Sequence, residues 1–426
     1  MRQGRGPAIG TSAAMNDQLP AHQAPVPADE QPRGSGRAIA RRRFLQVLGG
    51  LGGLGLVGGV SYLAGRRVAP RHTTPGVARP GPGPPAGAAA GSTPDSLDRL
   101  AHSIRHGAPG PDAIPPIDRP QFVPAAQARF LAEEDVVFGL VRAGQARAYP
   151  QLVLVWHEIV NDRFPDGPLS VTYCPLTGSV LAFRGVAPDG KPYTFGTSGD
   201  LVNSNLLMYD RQTDSRWPQL LGQAILGPSR GRVLQEVPLE WTRWGRWRGA
   251  HPDTQVLSTH TGSLRSYGTD PYGSYNYGPA HELFGYYRPG LGRYLYFPLL
   301  HESDRFDEKE VMVGAKLGAQ RLAVRKSVLR GQLAVNATMG RQPVVFLHDP
   351  ALDVGRAFLA GPQQAPLRFA PTATPGRYTD DTGSTWDTLG HALQGRQRGT
   401  SLRRVLTVEV MWLAWYAFFP QAKVLG

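Results

Sequence analysis

"DVVFGLVRAGQARAYPQLVLVWHEIVND" (residues 135–162) decides the fold class. Two runs rich in apolar and β-branched residues flank Ala143-Gly144, which predicts a hairpin. Pro150 then suits the first turn of a helix. Leu152, Val155, Trp156, Ile159 and Val160 recur at helical spacing, so "PQLVLVWHEIVND" reads as a helix. Beyond it, "LSVTYC", "SVLAFRGV", "KPYTFGTSG" and "LVNSNLLMYD" read as successive strands, with Asp189-Gly190 as one hairpin turn. "SRWPQLLGQAI" reads as a short helix, and another is expected in "PDSLDRLAHSIRHG". The chain carries 52 Gly and 39 Pro, which supply the turns that many short strands need. The expected fold class is α+β, rich in β.

Much of this text occurs twice. "VVFGLVRAGQARAYP" resembles "VMVGAKLGAQRLAV" (311–324), "EIVND" stands opposite "LAVNA", and "SVTYCP" stands opposite "VVFLHDP". "DRQTDSRWPQLLGQAILG" (210–227) resembles "DDTGSTWDTLGHALQG" (380–395). "PLEWTRWGRWRGAHPDTQVL" (238–257) resembles "TVEVMWLAWYAFFPQAKVL" (407–425). Trp217 falls on Trp386, Gly222 on Gly390, and Val256-Leu257 on Val424-Leu425. Several anchors in one order imply two homologous repeats, 120–260 and a degenerate 305–426, packed as a pseudo-two-fold pair. Residues 96–119 form a short helix and lead-in. An aromatic, Gly-rich insertion (261–304) separates the repeats, and its Tyr272, Tyr275, Tyr277, Tyr286 and Tyr287 could wall a pocket or cover a core.

The formal charge is +13, and Arg carries most of it, with a marked excess in residues 1–70. No run of Lys and Arg is interleaved with aromatics, so nucleic acid is not an expected partner. Arg41, Arg42 and Arg43 precede Phe44-Leu45, and an apolar, Gly-rich stretch follows to Ala64. Residues 1–68 therefore read as a twin-arginine export signal, or as an N-terminal membrane anchor if uncleaved. Residues 69–95 form a Pro/Gly/Ala linker too poor in apolar surface to fold. The expected location is periplasmic, extracytoplasmic or membrane-anchored.

Scaffold positions should agree in the two repeats, whereas a site specialised in one should not. Trp217 and Gly222 recur, and so read as packing and turn residues. Cys174, the single cysteine, is replaced by His348 on this alignment, His157 by Gln332, and Glu158 by Leu333. A lone Cys cannot form an internal disulfide. Cys174 ends a strand before a Pro-x-x-Gly turn, and Thr172 shares its face. If Cys174 and His157 meet, thiolate and imidazole suit copper or zinc, with His281, His301, His348 or Asp210 completing the ligands. The alternative is a thiol-dependent enzyme in which His157 deprotonates Cys174 and Glu158 or Asn161 orients the ring. A cell-envelope scaffold without a site is the third reading. Asn203 and Asn205 would point to one face and bind a polar ligand, with Asp210 and Arg211 beside them. His157-Glu158 lacks the second His of a zinc-protease helix, because position 161 is Asn. Gly-Thr-Ser-Gly (196–199) lacks the spacing of a serine-hydrolase elbow.

The strings "ARAYP", "WHEIVND", "VTYCPLTGS", "FGTSGDLVNSNLLMYDR", "SRWPQLLGQAILGP" and "HPDTQVLS" resemble a bacterial family known as domain of unknown function 3179. The resemblance spans about 120–426. It implies an exported protein and supplies no mechanism. Family members often carry a second Cys after Pro-Leu. Thr177 stands there in this chain, so two-thiol chemistry is not expected.

Overall fold

The computed structural model describes residues 96–187, 189–273, 285–287 and 295–426. The export segment and linker lie outside the described residues, as do Tyr275, Tyr277 and His281. The expected short helix is present as α1 (Leu97–His102), capped by the Ser96 hydroxyl, which accepts from the Arg99 amide. Among the described residues strand accounts for 42% and helix for 12%, so the architecture is β-rich with several sheets and few helices.

The expected hairpin forms as β1 (Val136–Arg142) and β2 (Gln145–Pro150), with Ala143 and Gly144 both at positive φ in the turn. The helix after Pro150 is far shorter than its spacing suggested. Only α2 (Gln151–Leu154) is helical, and β3 (Ile159–Phe164) begins five residues later. Ile159 and Val160 are β-branched and pair with Thr172 and Val171 of β4 (Gly167–Cys174). That tertiary pairing overrides a periodicity that fits either structure. Glu158 makes the break, with φ 57°. β5 (Ser179–Arg184) continues the meander beside β4, and Gln235–Val237 forms the edge of this sheet.

β6 (Phe195–Val202) and β7 (Asn205–Asp210) form a second hairpin. "LVNSNLLMYD" is thus not one strand. Asn203 and Ser204 occupy its two-residue turn at φ 52° and 60°, the left-handed pair that a tight hairpin turn requires. Nor is "SRWPQLLGQAI" a helix. Arg216–Pro218 is a strand paired to β7, followed by turns with Gly222 at φ 65°. Pro218 has no amide hydrogen to sustain a helical ladder.

β8 (Glu240–Arg243) pairs with β1, α3 (Trp244–Ala250) follows, and β9 (Gln255–Leu257) lies parallel to β2. The later part of the chain forms a seven-stranded sheet. It contains β10 (Val311–Leu317), β11 (Gln320–Arg325), β12 (Ala334–Met339), β13 (Gln342–Asp349), β14 (Val354–Leu359), β15 (Arg404–Met411) and β16 (Lys423–Leu425). α4 (Lys326–Gln332) and α5 (Trp412–Phe418) connect its strands.

Buried ion pairs tie the two regions together. Lys316 Nζ donates to Glu236 at 2.8 and 3.0 Å and to the Leu220 carbonyl at 2.6 Å. Arg356 binds both Glu240 and Asp349, and Arg404 also donates to Glu240. The largest apolar cluster likewise runs from Leu100 to Phe419. No described helix is long and apolar enough to cross a membrane.

Candidate functional site: a buried thiol and carboxyl

Cys174 ends β4, and Glu158 ends the turn before β3. The two strands are neighbours, and the Glu158 carbonyl accepts from the Tyr173 amide at 2.7 Å. That bond holds Glu158 beside the end of β4. Both side chains line one small pocket, of about 30 Å³, together with Thr197, Asp200 and Tyr272. Tyr272 comes from the aromatic insertion, so one tyrosine of that segment does wall a pocket.

The thiol is deeply placed. Cys174 is 1% exposed; its sulfur accepts from the Leu206 amide at 3.3 Å and approaches the Ser204 carbonyl at 3.8 Å. Burial, then the nearby Glu158, push the thiol up to about 11. At pH 7 about one molecule in ten thousand then carries a thiolate. Glu158 is 8% exposed, and its side-chain carboxyl has no hydrogen-bond or ion-pair partner among the described residues. Loss of hydration alone raises its carboxyl to about 8. Tyr272 is raised well above the usual phenol value, first by burial and then by Glu158 and Cys174. At neutral pH the pocket therefore holds a protonated carboxyl and a protonated thiol, and no Lys, Arg or His lines it.

His157 does not join them. Its backbone precedes the left-handed break, and its ring is bound elsewhere. Nδ1 lies 2.7 Å from the Pro115 carbonyl, and Nε2 lies 2.8 Å from the Tyr267 hydroxyl. A carbonyl only accepts, so Nδ1 carries the hydrogen, and Nε2 of the neutral ring accepts from Tyr267. Burial, aided by Arg265, lowers the imidazole to about 4, against the opposing pull of the Pro115 bond. A ring so engaged offers Cys174 neither a base nor a shared metal. Asn161 is no orienting partner for it either, since its amide serves Asp118, Phe195 and Ser170.

The expected ligand-binding residues are spent on the scaffold. Asn203 donates to the Ala417 carbonyl and accepts from the Leu300 amide. Asn205 sits in a buried network with Thr177, Ser179 and Gln219, and accepts from the Leu220 amide at 2.8 Å. One residue lies in a turn and the other in a strand, so they do not present a common face. Asp210 holds Thr213 and the Trp217 indole, while Arg211 pairs with Asp118 and Asp112. Asp210 and Arg211 therefore do not pair with each other. Among the described residues, no group of three or more His, Cys, Asp and Glu gathers to hold a metal ion. His348 bonds Asp353 in the other sheet.

A family model described as a protein of unknown function (DUF3179) matches residues 111–422. The chain belongs to that family. No curated protein and no solved structure matches it. The matched range takes in Glu158, Cys174 and Tyr272, while Gly107 and Ala108 of the pocket wall precede it. Sequence reasoning singled out Cys174 and Glu158, though it cast Glu158 as a ring orienter. It named Tyr272 among five tyrosines that could wall a pocket but did not place it beside Cys174, because nothing in the insertion's text distinguishes it from its neighbours.

Proposed function

We propose that this protein binds a small cation between Glu158 and Cys174. One observation carries the reading: a carboxyl 8% exposed, with no partner among the described residues, faces a thiol in a pocket that has no cationic side chain. Burying such a group unpaired is costly, and a cation entering the pocket would take the place of its proton. The volume, about 30 Å³, suits an ion with a water molecule. It falls far below the ~300–1,000 Å³ of sites for organic ligands. Sulfur beside carboxylate favours a soft or borderline metal, with copper or zinc foremost, and water would complete the shell. The thiol-enzyme reading draws no support from this geometry, since the thiol is protonated and lacks a base. Elemental analysis of natively produced protein, followed by titration with Zn²⁺ and Cu⁺, tests the proposal. Cys174→Ser and Glu158→Gln should each lose the metal while keeping the fold. Full metal content in both variants would sink it.

We also read the described region as a duplication. Matching local features support this. Gly139 lies beneath Trp247 as Gly314 lies beneath Trp415, and an added Cβ would stand 2.2 and 2.1 Å from those rings. Asp210 accepts from the Trp217 indole as Asp380 does from Trp386. β9 runs parallel to β2 as β16 does to β11. The left-handed Glu158, bonded to the Tyr173 amide, matches the left-handed Leu333, bonded to the His348 amide. On that register Cys174 corresponds to Asp349, one place from the His348 of the sequence alignment. The left-handed turn thus belongs to the scaffold, and the carboxyl to one copy only. Export by the twin-arginine route, with residues 69–95 as spacer from the membrane, remains our reading of the N-terminus. Replacing Arg41 and Arg42 by Lys should leave the protein in the cytoplasm.

A further inference from the structure

A second cleft, of about 260 Å³, opens between β8 and α4 and is independent of the thiol pocket. Four cationic residues line it, Arg243, Lys309, Lys326 and Arg330, along with the carboxylates Asp353 and Glu409. Those carboxylates are engaged. Asp353 takes Arg330 through both oxygens and accepts from His348, with Lys326 at 3.8 Å. Glu409 takes Lys326 Nζ at 2.7 Å. Glu310, also in the wall, accepts from the Ser327 hydroxyl.

Lys309 is the exception. It is 3% exposed, yet its ammonium has no hydrogen-bond or ion-pair partner among the described residues. It rests 3.9 Å from the centroid of the Tyr286 ring. Asp307 accepts from the Lys309 backbone amide at 2.9 Å, and Asp307 and Glu308 act on the ammonium through their field. A buried ammonium has three hydrogens to place. A cation–π contact returns only part of what it costs to take an ammonium out of water. The same wall holds another open polar atom, Glu409 Oε1, which is buried without a partner.

We propose that this cleft binds a small oxyanion, the carboxylate or phosphate head of a compact molecule, with Lys309 as its charge partner. Arg243 and Arg330 add positive potential around the same space. The volume suits a head group with a short carbon chain.

Calorimetric titration of the full chain with inorganic phosphate and with succinate tests this at neutral pH. Saturable binding of one anion is expected, and which one identifies the head group. Lys309→Met should weaken it by more than about ten-fold, the loss expected for one charge-assisted hydrogen bond. Lys309→Arg should restore most of it. Should Lys309→Met not fold, acylation of Lys309 in the wild-type chain, read by mass spectrometry, takes its place, and the bound anion should slow that reaction. Absence of saturable binding by either anion, affinity unchanged in Lys309→Met, or equal acylation with and without anion would overturn the proposal.

Discussion

Replacing Glu158 by Gln isolates the cost of a buried carboxylate in the thiol pocket. Burial raises this carboxyl from 4.5 to about 8. A group with a raised folded pKa holds its proton more tightly in the folded state than in the unfolded one. Its contribution to stability is complete below pH 4.5 and is lost as pH rises toward 8, at about 1.4 kcal/mol per pH unit. The loss reaches about 3 kcal/mol at pH 7 and levels near 5 kcal/mol above pH 8. Gln keeps the shape and cannot ionise. The variant should match the wild type at pH 4.5 and exceed it by about 3 kcal/mol at pH 7. Urea unfolding followed by tryptophan fluorescence, repeated from pH 4.5 to 9, measures this. With a urea slope near 3 kcal/mol per molar, the midpoints should separate by about 1 M at pH 7. Two curves with constant separation at every pH would refute the reasoning, because the carboxyl would then titrate alike in both states. Zn²⁺ supplies the second arm. At a hundred times its dissociation constant, a bound ion adds about 2.7 kcal/mol to the wild type, and it should add little to the variant.

Three further outcomes follow from the same geometry. Cys174 should resist maleimide at pH 7 in the folded protein and react fully in denaturant; rapid labelling of the native chain would show a thiol more open than its 1% exposure implies. Gly139→Ala or Gly314→Ala should lower stability by about 1–3 kcal/mol, since each new methyl meets a fixed indole, and a thermal melt would reveal it. His157, lowered from 6.5 to about 4, contributes stability above pH 6.5 that is lost as pH falls toward 4. His157→Gln should flatten that acid limb in the same urea series, and an unchanged limb would assign it to other groups.

Burial pushes the adjacent residues His157 and Glu158 in opposite directions along the pH scale. Between about pH 4.5 and 6.5 the wild-type chain loses stability through Glu158 and gains it through His157, at similar slopes. The two effects nearly cancel there, and the carboxyl penalty emerges only above pH 6.5. Below pH 6.5 a scan of the wild type alone would hide both groups, which is why the single variants are the informative measurements.

What could be read from the text was the material with local causes. Alternating apolar residues around Ala143-Gly144 gave the hairpin, and the Gly and Pro content gave a fold of many short strands. The helix after Pro150 was misjudged because Ile159 and Val160 fit a helical stripe and a strand equally, and only the β4 partner decides between them. Asn203 and Asn205 were misplaced by two left-handed residues that turn one apparent strand into a hairpin. The site was half legible. Contrast between the two proposed repeats singled out Glu158 and Cys174, since Leu333 stands opposite Glu158 on that alignment. It also singled out His157, which the fold directs to Pro115 and Tyr267 instead. Neighbours in sequence separate at a left-handed residue: the bond from the Tyr173 amide to the Glu158 carbonyl anchors the carboxyl beside the thiol and leaves the imidazole facing another part of the molecule. Composition and spacing carry no record of that rotation, and so the partner of the lone thiol could be named only after the backbone of residues 157–159 was known.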